Sequence, residues 1–277
     1  MVQNRALLFK EYPTHSIEAG KHVNVEDVGD FDLEQAVSPS ISYQGQCVQA
    51  DDVVQPPSGG LTVKVHYVSF DPYQRGRMRK PEIKSYSPPF DLGKPITNSA
   101  VVTVLKSDHE KFKAGDKLYV PLTNTEEYSA LSKDLANSAI VLQNPYNLDE
   151  RLFTGALGMP GLTAYSSFYE IGEPKKGETI FISAASGAVG QLVGQLAKHE
   201  GLKVVGSVGD DKKLEFITKE LGFDGGFNYK KEKPLDALKR LAPDGIDIYY
   251  ENVSRDQADK LSGTQEVVLS LNDTGRR

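Results

Sequence analysis

The chain has 277 residues, 39% hydrophobic and 25% charged, with a formal net charge of −6. That balance belongs to a folded protein and excludes global disorder. It also argues against a nucleic-acid partner, which calls for a concentrated basic surface, and no run of about 18 apolar residues offers a membrane span.

The first sixteen residues carry no long apolar stretch followed by a small-residue cleavage site, so a cytoplasmic location is expected. The lone cysteine, Cys47, excludes an intramolecular disulfide and a Cys-rich zinc site, and fits a reducing compartment. Over residues 1–146 the texture is β-rich. Alternating runs such as Leu61–Val68 and Ala100–Leu105 are separated by Pro/Gly clusters at 56–60 and 88–89, and 113–117 is a turn entering a strand at Leu118–Val120. Such spacing predicts a small barrel or sandwich.

From residue 147 the pattern changes to α/β. Leu162–Glu170 is apolar at helical spacing, Glu178–Ser183 reads as a buried strand, and a helix follows over about Ala188–Glu200, ended by Gly201. A strand at Lys203–Ser207, a helix at Asp211–Leu221, a short strand at Gly226–Tyr229, a helix at Pro234–Leu241 and a strand at Ile246–Tyr250 continue the alternation. This order predicts a parallel sheet with right-handed crossovers.

Between the first of these strands and its helix stands Ala185-Ser-Gly187-Ala-Val-Gly190, a dinucleotide-binding turn with alanine in place of its first glycine. Gly187 lets the backbone approach a pyrophosphate, Gly190 lets helix and strand pack closely, and the helix start supplies N–H donors. Small residues also open helices for packing alone, but the strand–turn–helix context favours a nucleotide. An NAD site would place an acidic residue at the end of the next strand. Here Ser207 stands there, with Lys212 and Lys213 just beyond, so NADP is preferred. Against this, the two lysines also suit a solvated helix start, and Asp210 and Asp211 oppose a phosphate locally.

Met159-Pro-Gly-Leu-Thr-Ala-Tyr165, 184–190, Lys213, Asn228-Tyr229-Lys230 and Glu251-Asn252-Val253 together resemble the medium-chain dehydrogenase/reductase superfamily. More narrowly they are similar to its zinc-free prostaglandin reductase and 2-alkenal reductase branch, as are the segments 68–78, 112–116 and 126–129. The resemblance implies a GroES-like β-barrel domain over 1–146, then a Rossmann doubly wound parallel sheet over 147–253, with the active site in the cleft between. It implies that residues Gly187, Ala188, Val189 and Gly190 hold the pyrophosphate and Lys213 the 2′-phosphate; Ser207, from the strand-end reading above, is a further cofactor-binding candidate. Tyr229 would lie by the adenosine phosphate, Thr163 by the cofactor cleft and Asn252 below the cofactor. Tyr73 is the candidate catalytic residue, lining the substrate pocket; its alternative is a core or interface tyrosine. The implied reaction is hydride transfer from NADPH to the β-carbon of an α,β-unsaturated aldehyde or ketone, with small-molecule substrates, no membrane partner and a homodimer in the full-length form. No metal is expected, because Cys47 and His66 have no ligand-like company and the five histidines are scattered.

After Val253 the resemblance stops. Residues 254–277 form an atypical tail, so the Rossmann sheet is expected to be truncated, losing strands five and six and leaving strand four an open apolar edge. Val-Ser at 253–254 is encodable by an intron start, which suggests translated intron; the rival is a genuine short protein in which Val267–Leu271 pairs with strand four. The missing part would hold the tyrosine that donates to the enolate. The alternative functions are therefore a catalytically impaired nucleotide-binding protein, or a quinone reductase of the same superfamily. The sequons at Asn252 and Asn272 are read as coincidental.

Overall fold

The computed structural model describes residues 2–31, 58–253 and 267–270, the last four by backbone alone. Cys47, Pro56, Pro57, Asn272 and the remainder of the tail beyond Val253 lie outside the described residues. The chain divides into two compact units, Met1–Thr154 and Gly155–Arg277. The division falls later than the expected 146/147 because a 3₁₀ turn at Glu150–Thr154 packs against strands of the first unit.

In the first unit, β1 (Val2–Phe9) and β2 (Val23–Phe31) form an antiparallel pair. A five-stranded antiparallel sheet comprises β3 (Leu61–Val68), β4 (Thr97–Ser107), β5 (Lys117–Asn124), β6 (Tyr128–Leu131) and β7 (Ile140–Val141), in the order β6-β3-β4-β5-β7. Two short helices, α1 (Tyr73–Arg77) and α2 (Lys133–Asn137), sit in its connections. Alternate residues of the central strands, among them Leu61, Val63, Val102, Val104, Leu118 and Val120, meet on one face as a closed apolar core, as the period of two requires. Strand β1 bridges to Pro95 and Glu126, wrapping the sheet into a barrel-like body.

That wrapping buries a carboxyl. Glu126 is 7% exposed, and its Oε1 accepts from Asn124 Nδ2 at 3.0 Å. Burial pushes the Glu126 carboxyl up from its ordinary value. A carboxyl raised in the folded state contributes stability while protonated; that contribution is complete below the unfolded value and is lost as pH rises through the folded one. Glu126→Gln is accordingly expected to flatten the decline in stability of this unit above about pH 4. Urea unfolding across pH reads this directly, and an unchanged slope in the variant would remove Glu126 as its source.

The second unit is built on a parallel sheet of β8 (Thr179–Ile182), β9 (Lys203–Val208), β10 (Gly225–Asn228), β11 (Ile248–Glu251) and β12 (Val267–Ser270), ordered β10-β9-β8-β11-β12. The strands are continuous apolar runs because both faces are covered. Helices α3 (Met159–Glu170) and α4 (Gly190–His199) cover one face, where Ala164, Phe168, Val193 and Ala197 meet Ile180, Ile182, Val204 and Ile248. Helix α6 (Pro234–Leu241) covers the other, over a cross-strand stack in which Phe181 lies 5.1 Å from Tyr249 and 5.9 Å from Phe227.

Three expectations change. Strand β11 is not an open edge: β12 pairs with it in parallel register, Ile248 opposite Val267 and Glu251 opposite Ser270. The unpaired backbone groups of an edge are satisfied by an apolar β-branched run, so the sheet has a fifth strand where truncation predicted four. The helix expected over 211–221 is also not uniform. Helix α5 spans Asp211–Glu215 and then widens into a π-helical turn, Phe216–Glu220. Ile217 in that turn packs over Gly206 and Gly226: a Cβ on either would meet its Cδ1, at 2.9 Å and 3.1 Å. The preceding helix, α4, also starts late, at Gly190 rather than Ala188.

A candidate nucleotide site in the second unit

The turn after β8 begins with strain. Ala184 takes φ 43°, a left-handed conformation uncommon for a residue with a side chain, and its carbonyl accepts the Gly187 N–H at 2.8 Å. Ala185 occupies the position where a dinucleotide turn has its first glycine. Its methyl is fully buried, and a Cβ on Gly206 of β9 would lie 2.6 Å from it. The missing glycine of the turn is thus offset by a glycine on the neighbouring strand. Gly190 is required for a different reason: a Cβ there would stand 2.7 Å from Ala184 O. Of the N–H groups in the first turn of α4, those of Gln191, Leu192 and Val193 bond back to Gly187 and Val189. The Gly190 N–H has no such partner among the described residues, and it is one of the donors a helix start offers to an anion.

Beside this turn lies a cavity of about 450 Å³. Of the residues expected to bind cofactor, it brings together Gly187, Ser207, Lys213 and Tyr229. Ser207 lies at the end of β9, 1% exposed, and its Oγ has no hydrogen-bond partner among the described residues. A buried hydroxyl without a partner costs free energy unless something else meets it. The other expected residues are not among those that line the cavity. Ala188 and Val189 lead into α4. The Asn252 N–H donates to Ser183 Oγ at 2.7 Å and its Nδ2 to Ser183 O at 2.9 Å, which fixes it at the end of β11. Thr163 is half-buried on α3, where its carbonyl accepts from Ser167 Oγ at 2.6 Å.

Sequence reasoning missed Gly209, Lys230 and Val253, which also line the cavity. Lys230 and Val253 stand in the motifs Asn228-Tyr229-Lys230 and Glu251-Asn252-Val253, which carried the resemblance without giving either a role; Gly209 carried no signal. Charge is arranged more favourably than the Asp210-Asp211 pair suggests. Asp210 lines the cavity, but its Oδ1 is engaged by the Lys212 N–H at 2.8 Å as the cap of α5. Asp211 is drawn away: Asn228 Nδ2 donates to it at 2.8 Å and Lys231 pairs with it. Those two partners hold the Asp211 carboxyl below its ordinary value. Lys213 and Lys230 make no ion pair among the described residues and are left to face the cavity. Two cations, an orphaned hydroxyl, a phenol and glycine backbone suit a phosphorylated ligand.

Tyr73 belongs to the first unit, at the start of α1, where it is half-buried. Burial, then the charge of Asp71, pushes its phenol up, so it stays protonated. Asp71 itself is buried, with Ser69 Oγ donating to Oδ1 at 2.9 Å and burial raising its carboxyl. Among the described residues no group of three or more His, Cys, Asp or Glu is placed to hold a metal ion, and no helix is long and apolar enough to cross a membrane.

Residues 32–137 match the family model described as N-terminal domain of oxidoreductase, and residues 188–262 the one described as zinc-binding dehydrogenase. The NADP-dependent oxidoreductase RED1 of Cochliobolus heterostrophus is 52% identical over 91% of this chain and 66% of its own length. A 2-alkenal reductase (NADP(+)-dependent) of Nicotiana tabacum is 50% identical over 71% of this chain and 56% of its own. The crystal structure of CurA in complex with NADPH, from Vibrio vulnificus, superposes with a TM-score of 0.74 at 29% identity, over 92% of this chain and 66% of that one. The chain belongs to the medium-chain dehydrogenase/reductase superfamily, in its branch of zinc-free, NADP-dependent reductases. It spans about two thirds or less of the length of these three proteins.

Proposed function

We propose that the chain binds NADPH in the cavity beside the glycine turn, and that the whole protein reduces the activated carbon–carbon double bond of α,β-unsaturated aldehydes or ketones. The observation that carries the first part is the buried, unpartnered Ser207 Oγ beside Lys213 and Lys230, at the strand end where an NAD site would place an acidic residue to bind ribose. The second part is supported by the relative described as a 2-alkenal reductase. When bound, the nicotinamide supplies hydride to the β-carbon, and negative charge develops on the carbonyl oxygen. The turn of 184–190 receives the pyrophosphate on backbone N–H groups, with Ala188 and Val189 at its lip, and Thr163 and Asn252 stand by the rest of the cofactor. Tyr73 of the first unit is the candidate for lining the substrate pocket, and its phenol stays protonated.

Thermal unfolding with and without NADPH tests the binding. A ligand present at about a hundred times its Kd raises the stability of the folded state by about 2.7 kcal/mol, and no shift would refute the proposal. Lys213→Ala is expected to weaken NADPH by roughly tenfold while leaving NADH unchanged, because only the former presents a phosphate to the ammonium. Oxidation of NADPH by a 2-alkenal, followed by absorbance, tests the reaction.

A further inference from the structure

We infer that Gly209 is a specificity-determining residue: its missing side chain is the seat of the Tyr229 phenol, and that seat sets the preference for a phosphorylated ribose. The inference rests on the NADPH site proposed above. Gly209 follows β9 directly and lines the same cavity as Ser207, Lys213, Tyr229 and Lys230. A Cβ built on it would fall 2.6 Å from the Tyr229 hydroxyl, 3.0 Å from Cζ and 3.2 Å from Cε1, and these are its three nearest neighbours. The ring end of Tyr229 therefore rests on the bare backbone of residue 209. Its backbone φ lies outside the left-handed region, so glycine is not required there for conformation. The reason lies in the space it leaves.

Among the described residues no side-chain hydrogen bond holds Tyr229. It is 42% exposed and directly follows β10, with its N–H bonded to Val208 O at 3.1 Å. The backbone anchor fixes where the residue begins, and the contact at Gly209 fixes where its hydroxyl ends. Held there, the hydroxyl shares the cavity with two ammonium groups, and a phenol donating to a phosphate oxygen is a charge-assisted bond. A methyl at 209 leaves the fold in place, since an exposed ring can swing outward, and moves the hydroxyl away from the cationic pair. The group that loses a donor is the 2′-phosphate, which NADH lacks.

The experiment is a double-mutant cycle read by fluorescence titration with NADPH and with NADH. Gly209→Ala is expected to weaken NADPH by about tenfold, the size of a lost bond to a charged group, and to leave NADH unchanged. In a Tyr229→Phe background the same substitution should cause no further loss of the NADPH:NADH ratio, because the hydroxyl is already gone. An unchanged ratio in Gly209→Ala, an equal loss for both nucleotides, or additive losses in the cycle would each overturn the assignment. If Gly209→Ala does not fold, pairing it with Tyr229→Ala must restore folding, and failure to do so also overturns it. Failure of the unaltered chain to bind NADPH refutes the proposed function first, and this assignment with it. A normal wild-type preference with an unmoved variant refutes this assignment alone.

Discussion

Gly190→Ala is expected to raise the NADPH concentration needed to stabilise the second unit by about a hundredfold. The added Cβ would stand 2.7 Å from Ala184 O and 3.0 Å and 3.2 Å from backbone atoms of Ala185. All three neighbours are main chain, so no side chain can turn aside. Helix α4 must instead lift from the turn that its own N-terminus closes. Overpacking of this kind costs about 1–3 kcal/mol, and the displacement also carries the Gly190 N–H away from the pyrophosphate. The combined loss of affinity is on the order of a hundredfold. Gly187→Ala makes the contrast: its Cβ would meet only Ala184 O, at 3.1 Å, and Gly187 is exposed. That variant keeps its fold and places a methyl where the phosphates approach. Differential scanning fluorimetry with a series of NADPH concentrations separates the two, and a wild-type thermal shift in Gly190→Ala would sink the assignment of the turn.

Gly194→Ala should destabilise the second unit, although a glycine-to-alanine change inside a helix ordinarily stabilises by about 1 kcal/mol. Gly194 is buried on α4, and a Cβ there would fall 1.9 Å from Phe223 Cζ. Phe223 is itself 4% exposed, in the core that includes Ile217 and Val204. The ring cannot move without displacing that core, so a cost of about 1–3 kcal/mol replaces the usual gain. Phe223→Leu shortens the side chain and should recover part of the loss in the double variant, which makes the two changes non-additive. Urea denaturation of the four proteins measures this, and a stabilised Gly194→Ala would show that the ring does not occupy the helix groove.

Much of the second unit was legible in the sequence because its signals are local. Mostly apolar runs that follow glycine turns give β8, β9 and β11 within a residue or two at each end, since strands buried on both faces have few polar positions. The turn at 185–190 and the cations after β9 are likewise read from neighbours in the chain. Less was legible where a residue answers to something distant. The π-helical turn at Phe216–Glu220 places Ile217 against glycines on two other strands, and helical periodicity does not contain them. The pairing of β12 with β11 joins segments separated by a stretch with no strand signal, so it stood only as one of two alternatives.

The site divides the same way. By itself, the sequence determined that a nucleotide turn opens α4, that no carboxylate occupies the strand end at Ser207, and that lysines follow it. These are properties of residue type and spacing, which chain connectivity preserves. Only the tertiary structure decided which charges remain to act. Asp211 pairs with Lys231 and hydrogen-bonds Asn228, and Asp210 is engaged as a helix cap, so Lys213 and Lys230 face the cavity. It also decided that Ala185 fits where glycine was expected, because Gly206 on the neighbouring strand leaves room for its methyl. Charge pairing and steric fit depend on distances through space, and those are set by the packing of strands and helices against one another.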